Sequence, residues 1–272
     1  MLNNLKEEIE KYNFFIKKGY GQNFLIDKGM IKKIVEGASL PPFSVVLEIG
    51  PGFGSLTTVL SDISQKLICV EIDRSLASIL ESYNLENTEI INKDFLKIDL
   101  EELLVPYEEV HVVANLPYYI STAIIMKLIH PKIKSMTLMM QKEVADRFKA
   151  SKNSKEYGSL TLAINYYMNV SKIANVPSGC FYPRPAVESC VVRLEKKETQ
   201  FQTDVDSLFD LIKKSFANRR KTMVNSLHLS DFSFSKEEVI NAMLKAGIKE
   251  NARAEDLEIS DYVLINNTLS LD

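Results

Sequence analysis

The stretch Asn115-Leu116-Pro117-Tyr118 ends the apolar run VHVVA and leads into YIST. An amide, a proline and an aromatic ring side by side suit one chemistry, attack by the exocyclic amine of adenine. That nitrogen is a poor nucleophile because its lone pair is delocalised into the ring. The Asn115 side-chain oxygen and a main-chain carbonyl near Leu116 can accept its two N–H bonds. They would favour a pyramidal nitrogen and stabilise positive charge as it attacks. Pro117 fixes the backbone so that the acceptors are preorganised, and Tyr118 offers a face on which a base can stack. Such an amine needs no prior deprotonation, which agrees with the lack of a His or Cys nucleophile. A capped turn with a hydrophobic cover is the plainer reading of the same residues.

Three further features support a nucleoside-like ligand. EIGPGFG, residues 48–54, places Gly50, Gly52 and Gly54 in a GxGxG spacing, which is not the GxGxxG of dinucleotide sites. Glycines there let the backbone turn sharply and approach a ligand closely. Glu71 follows Gly50 by 21 positions, at the end of CVE, where a carboxylate can accept both ribose hydroxyls. Asp94 in KDFL can accept from an adenine amino group, with Phe95 packed beside the ring. Asp73 is expected to N-cap the next helix instead. Phe181 in FYPRP is either the second face of a base sandwich or a core phenylalanine where a strand begins; Tyr182 is a weaker candidate.

These residues are useful only if the chain brings them to one edge. The segments VVLEI, KLICV, TEII, VHVVAN and SMTLMMQ read as buried strands. They alternate with helical segments, KGMIKKIVEGA (N-capped by Asp27), SLTTVLSDIS, RSLASILESY and STAIIMKLIH. Strands alternating with helices of this length imply a doubly wound parallel sheet. Its carboxyl edge is where ligands bind, and each candidate above lies at the end of a strand. Beyond about residue 197 the pattern is helical, VDSLFDLIKKSFANRRKTMVNSL and SKEEVINAMLKAGI. The start, MLNNLKEEIEKYNFF, is a helix or a mobile arm.

Of the 272 residues, 46% are hydrophobic and 25% charged, enough for one large and one small domain. A net charge of −3 excludes a global basic field, so any nucleic acid must be held by local patches. Such patches are DRFKASKNSK, Lys17 with Lys18, and KKSFANRRK, in which Arg219, Arg220 and Lys221 are expected to meet phosphates. The scattered Cys69, Cys180 and Cys190 make neither a CxxC pair nor a disulfide framework. No apolar run reaches 18 residues and the N-terminus is charged, so a reduced, cytoplasmic protein without membrane or metal is expected.

In order, GQNFLID, EIGPGFGSLT, VEID, KDFL, NLPYYIST, FYPRPAVESCVVRL and FANRRKTMVNSL resemble the ribosomal RNA adenine N6-dimethyltransferases. The resemblance covers most of the chain, from residue 21 to 219 and onward. It implies a Rossmann-like class I fold using S-adenosyl-L-methionine. The methyltransferase domain would be 1–196, with 1–16 as an arm, and 197–272 a helical, RNA-contacting domain. It also implies cofactor contacts from Asn23, Leu25, Gly50, Gly52, Glu71, Asp94 and Asn115. Asn115, Leu116, Pro117, Tyr118 and Phe181 would serve the target base. FANRRKTMVNSL and the chain length are similar to the housekeeping branch, which dimethylates two adjacent adenines near the 3′ end of 16S rRNA during small-subunit assembly. That implies a monomer with 16S rRNA as partner. The alternatives are an Erm-type 23S rRNA enzyme, a DNA adenine methyltransferase, and a methyltransferase-fold assembly or transcription factor. An NAD-dependent oxidoreductase fits least, since a nicotinamide site has no use for NLPY.

Overall fold

The computed structural model describes residues 5–17, 19, 21–198 and 201–270. Helix α1 (Leu5–Lys11), strand β1 (Phe24–Leu25) and helix α2 (Lys28–Ala38) come first. Then strand and helix alternate as β2 (Val45–Ile49), α3 (Thr57–Ile63), β3 (Lys66–Val70), α4 (Arg74–Glu81), β4 (Thr88–Ile91), α5 (Leu100–Leu104), β5 (Val110–Asn115), α6 (Ser121–Lys127) and β6 (Ile133–Gln141). After α7 (Lys142–Asp146) and α8 (Ser159–Tyr167) come β7 (Met168–Val176), β8 (Phe181–Tyr182) and β9 (Ser189–Lys196). The rest is helical, α9 (Val205–Ser215), α10 (Met223–Leu229), α11 (Lys236–Lys245) and α12 (Ile259–Leu269).

The chain divides into two compact units, Met1–Ala145 with Val170–Lys196, and Asp146–Asn169 with Lys197–Asp272. In the first, a sheet of order β4-β3-β2-β5-β6-β9-β7 forms the centre. β4 to β6 pair in parallel, and β9 runs antiparallel to β6. The parallel strands are largely apolar because both faces are covered. Val46, Leu47, Leu67, Ile68, Val112 and Val113 are fully buried. The order reverses between β2 and β5: from β2 the chain winds outward to β3 and β4, then returns to β5. The crevice at the carboxyl ends of these strands is therefore the expected ligand site.

Local chemistry starts the helices where the sequence places them. Asp27 accepts from Met30 N and caps α2, and Asp73 accepts from Ser75 N and caps α4. The division into units differs from the expected 1–196 and 197–272, because Asp146–Asn169 belongs to the second unit. Tyr157, Leu162 and Tyr166 of that segment bury in one core with Leu208, Leu227, Met243 and Tyr262. The apolar contacts of α8 draw it into the helical unit although β7, which follows it, joins the sheet.

Candidate active site

A cleft lies at the carboxyl edge of the sheet. Its wall includes Gly50 and Gly52 after β2, Glu71 after β3, Asp94 and Phe95 after β4, and Asn115 to Ile120 after β5, with residues 21–25 across from them. Among the described residues, no His or Cys lines it.

The glycine loop owes its shape to three left-handed residues, Gly50, Gly52 and Gly54, at φ +67°, +61° and +78°. A side chain at Gly52 would also bring a Cβ to 2.9 Å from Phe24 Cδ1. This loop holds the next acid in place. Gly52 N donates to Glu71 Oε2 at 3.1 Å, and Asp73 N donates to Glu71 Oε1 at 2.9 Å. Glu71 is only 4% exposed, and burial pushes its carboxyl above the usual range against those two backbone donors. Each oxygen keeps acceptor capacity for a further donor, as a ribose diol would supply. Asp94 caps a short 3-10 turn, accepting from Leu96 N at 3.0 Å, and Phe95 is buried beside it.

Opposite, Asn115 Nδ2 donates to Asn23 O at 3.1 Å. That bond fixes the amide so that its oxygen is the group left to accept. Asn23 Nδ2 in turn donates to Gly21 O at 3.0 Å, and Ser55 Oγ donates to Leu25 O at 2.7 Å. Residues 21–25 are thus fastened both to the glycine loop and to Asn115. Leu116 is buried, and its N–H donates to Met139 O across the sheet at 2.9 Å. Pro117 sits at φ −59° and begins the turn Tyr118–Ile120.

A fold and a cleft of this form narrow the family, and sequence comparison decides it. The family model of ribosomal RNA adenine dimethylase matches residues 13–271. This chain belongs to that family. A ribosomal RNA small subunit methyltransferase A from Alkaliphilus oremlandii is 41% identical over 97% of this chain and 96% of its own. A dimethyladenosine transferase from Plasmodium falciparum, 28% identical, superposes with a TM-score of 0.73 over 89% of this chain and 95% of that one. The 23S rRNA methyltransferase ErmE, 27% identical, reaches 0.64 over 91% and 99%. The protein is a methyltransferase enzyme with the class I methyltransferase fold.

In this dimethylase the Tyr118 hydroxyl shares a 2.6 Å hydrogen bond with the buried Ser189, so the ring is tethered at its far end. Burial raises the Tyr118 phenol above its ordinary range. Phe181 corrects the expectation of a base sandwich. It is 1% exposed, pairs with Leu25 across β1 and β8, and packs with Met30, Ile34 and Val191, so it is a core residue. Arg219, also expected to meet phosphate, is bonded within its own unit and remains partly exposed. Its guanidinium donates to the carbonyls of Lys155 at 2.8 Å and Tyr157 at 3.1 Å and pairs with Glu255 at 3.0 Å. Those bonds anchor the 154–157 loop within the helical unit; Lys213, Arg220 and Lys221 of the same run are exposed. Lys17, in another of the expected basic patches, is ion-paired to Asp73 at 2.9 Å; Lys18 lies outside the described residues.

Sequence reasoning passed over Glu48, the acid of EIGPGFG. It lines the cleft, is 2% exposed, and accepts from Thr57 Oγ1 at 2.7 Å. Burial pushes its carboxyl up to about 8. An acid inside an otherwise apolar strand was the available signal. Lys127, the last residue of α6, supports the Asp94 turn from outside the cleft by donating to the carbonyls of Leu96 and Ile98.

Proposed function

We propose that this enzyme transfers methyl groups from S-adenosyl-L-methionine to N6 of two adjacent adenines near the 3′ end of 16S rRNA, in an assembling small ribosomal subunit. The observation that carries the reading is the Asn115–Asn23 bond inside a cleft that also presents Glu71 and Asp94. It couples the side chain suited to an amine acceptor with the wall suited to a nucleoside. The name of the 41%-identical relative, a small subunit methyltransferase, supports 16S over 23S rRNA.

The residues fit the cofactor. Gly50 and Gly52 form a cradle without side chains, and Glu71 supplies the acceptor pair for ribose. Asp94 faces the base amine, and Asn23 and Leu25 close the opposite wall. Buried carboxylates favour a cation, and S-adenosyl-L-methionine, when bound, supplies an electrophilic methyl on a sulfonium. Asn115 holds the target amine through its oxygen and disperses the charge that develops on it. Pro117 keeps this acceptor from swinging, and Tyr118 carries the base on its ring face. Positioning and electrostatics do most of the work, since no lining side chain needs to act as nucleophile. Arg220 and Lys221 are proposed to bind phosphate in the helical unit.

Mapping N6,N6-dimethyladenine by mass in 16S and 23S rRNA, with and without the gene, tests the reading. Loss of the mark from adjacent 16S adenines supports it. Loss from 23S rRNA alone would assign the chain to the other branch.

A further inference from the structure

The arm before residue 21 has no place in the chemistry above, yet it is bonded to the cofactor end of the cleft. Lys17 Nζ donates to Asp73 Oδ1 at 2.9 Å and Gln22 Nε2 donates to Asp73 Oδ2 at 3.0 Å. Lys17 N donates back to Gln22 Oε1 at 2.7 Å, which closes a ring of three residues. Asp73 lies one bond from the proposed ribose acid, since its own N–H is held by Glu71. Gln22 lines the cleft next to Asn23, whose carbonyl holds Asn115. Below this ring, Phe14 meets Phe53 of the glycine loop and Phe24 edge-on, at 5.1 and 6.2 Å between centroids. The arm therefore reaches both the glycine loop and the 21–25 wall.

Charge gives this contact a purpose. Glu71 and Asp73 are 4% and 1% exposed, and two carboxylates so buried and so close repel each other. Among the described residues, Lys17 is the cation ion-paired to either of them. Glu71 interacts with Asp73 on its own turn, with Glu48 on β2 and with Cys69 on β3; Lys93 and Asp94 after β4 line the same cleft, and Lys17 reaches Glu71 through Asp73. Removing Lys17 leaves the Asp73 charge to act on Glu71 undivided. Glu71 then holds a proton more readily and loses acceptor capacity toward ribose hydroxyls.

We propose that Lys17 is a positioning residue for cofactor binding, acting through Asp73 and Gln22 as counter-charge to the buried acids and as clasp of the 21–25 wall. It does not border the cleft itself. The inference rests on the reading of the cleft as an S-adenosyl-L-methionine site.

The test is calorimetric titration of S-adenosyl-L-methionine into wild-type, Lys17→Met and Lys17→Arg enzyme at several pH values between 6 and 9. With Lys17 half-exposed, the Met variant is expected to fold, which a melting curve checks. Lys17→Met should weaken binding about tenfold near neutral pH, the scale of one charged hydrogen bond, and recover toward high pH as Glu71 ionises. Lys17→Arg should keep most of the affinity. Single-turnover transfer at saturating cofactor should stay near wild type in both variants. Wild-type affinity for Lys17→Met across the range would overturn the inference. So would an equal, pH-independent loss in Met and Arg, or a variant that does not fold at all, since each indicates packing alone. Wild-type enzyme that binds no S-adenosyl-L-methionine would overturn both this inference and the reading beneath it.

Discussion

At one end of the cleft Glu71 and Asp73 are each held by several donors, while at the Asn115 end one hydrogen bond sets each side chain. Glu71 takes two backbone N–H bonds, and Asp73 takes Ser75 N, Lys17 and Gln22. Asn115 has Asn23 O, and Tyr118 has Ser189. Next to them Tyr119 stands 57% exposed. The first end is built by tight turns at the edge of a buried sheet, so its geometry precedes any ligand. The second end hangs on side-chain tethers at a rim, where on the proposed reading the RNA substrate enters. On the proposed reading, a small-molecule site and a macromolecular one share a cleft, joined by residues 21–25.

The largest effect should come from cutting a single tether. Asn115→Ala is expected to slow methyl transfer by about 10²–10³, the loss from one preorganised polar group, with folding intact in a melting curve. At the other end Glu71→Ala should weaken cofactor affinity by about 1.5–3 kcal/mol, read by calorimetry, with transfer at saturating cofactor much less affected. If the two variants showed the same split between binding and rate, the ends would not differ as described.

Glu48 sharpens the contrast from beneath the glycine loop. Its folded pKa, near 8, lies above the unfolded value of 4.5. The folded state therefore holds the proton between those values, and the Glu48 contribution to stability is most favourable below pH 4.5 and falls as pH rises toward 8. Denaturant titrations should show a Glu48→Gln variant without that decline, gaining on wild type by up to about 1.4 kcal/mol per pH unit within the window. A parallel pH profile in both proteins would contradict the buried acid.

Tyr118 brings a smaller effect. Its ring face alone would make Tyr118→Phe nearly silent, but the bond to Ser189 changes that. Removing the hydroxyl leaves a buried Ser189 without its partner and should cost about 1 kcal/mol of stability. Tyr118→Ala should lose in addition roughly 1–3 kcal/mol of base stacking. A double-mutant cycle with Ser189→Ala measures the tether, and additive costs would remove it. The smallest change is expected in the helical unit. Neutralising Arg220 and Lys221 should flatten the salt dependence of RNA binding by about 2 units of slope or slightly less. Arg219→Ala should instead lower the melting temperature, because it loosens the 154–157 loop.

What was legible in the sequence is what local chemistry decides. Asp27 and Asp73 before amphipathic runs mark helix starts, apolar runs mark buried strands, and the strand ends mark the cleft. Glu71, Asp94 and Asn115 could be read from their places at those ends. Contacts far apart in sequence were not legible. Phe181 has the same neighbours in the chain whether it stacks on a base or fills a core, and only packing against Leu25 and Met30 separates the two. Arg219 reads as one of three cations, but its partners lie some 36 to 65 residues away. Strand β7 is mostly exposed at the end of the sheet order, so it shows little apolar alternation. Helix α12 buries Tyr262, Val263, Ile265, Asn266 and Leu269 on more than one side, which blurs its period.

The central claim is that Asn115 holds the reacting amine and that the cofactor end is assembled independently of it. Single-turnover methyl transfer by Asn115→Ala at saturating S-adenosyl-L-methionine and saturating RNA tests it most directly. The account predicts a rate about 10²–10³ below wild type, with both ligands bound and the fold intact. Transfer at the wild-type rate under those conditions would make the Asn-Leu-Pro-Tyr segment a structural turn and contradict the mechanism.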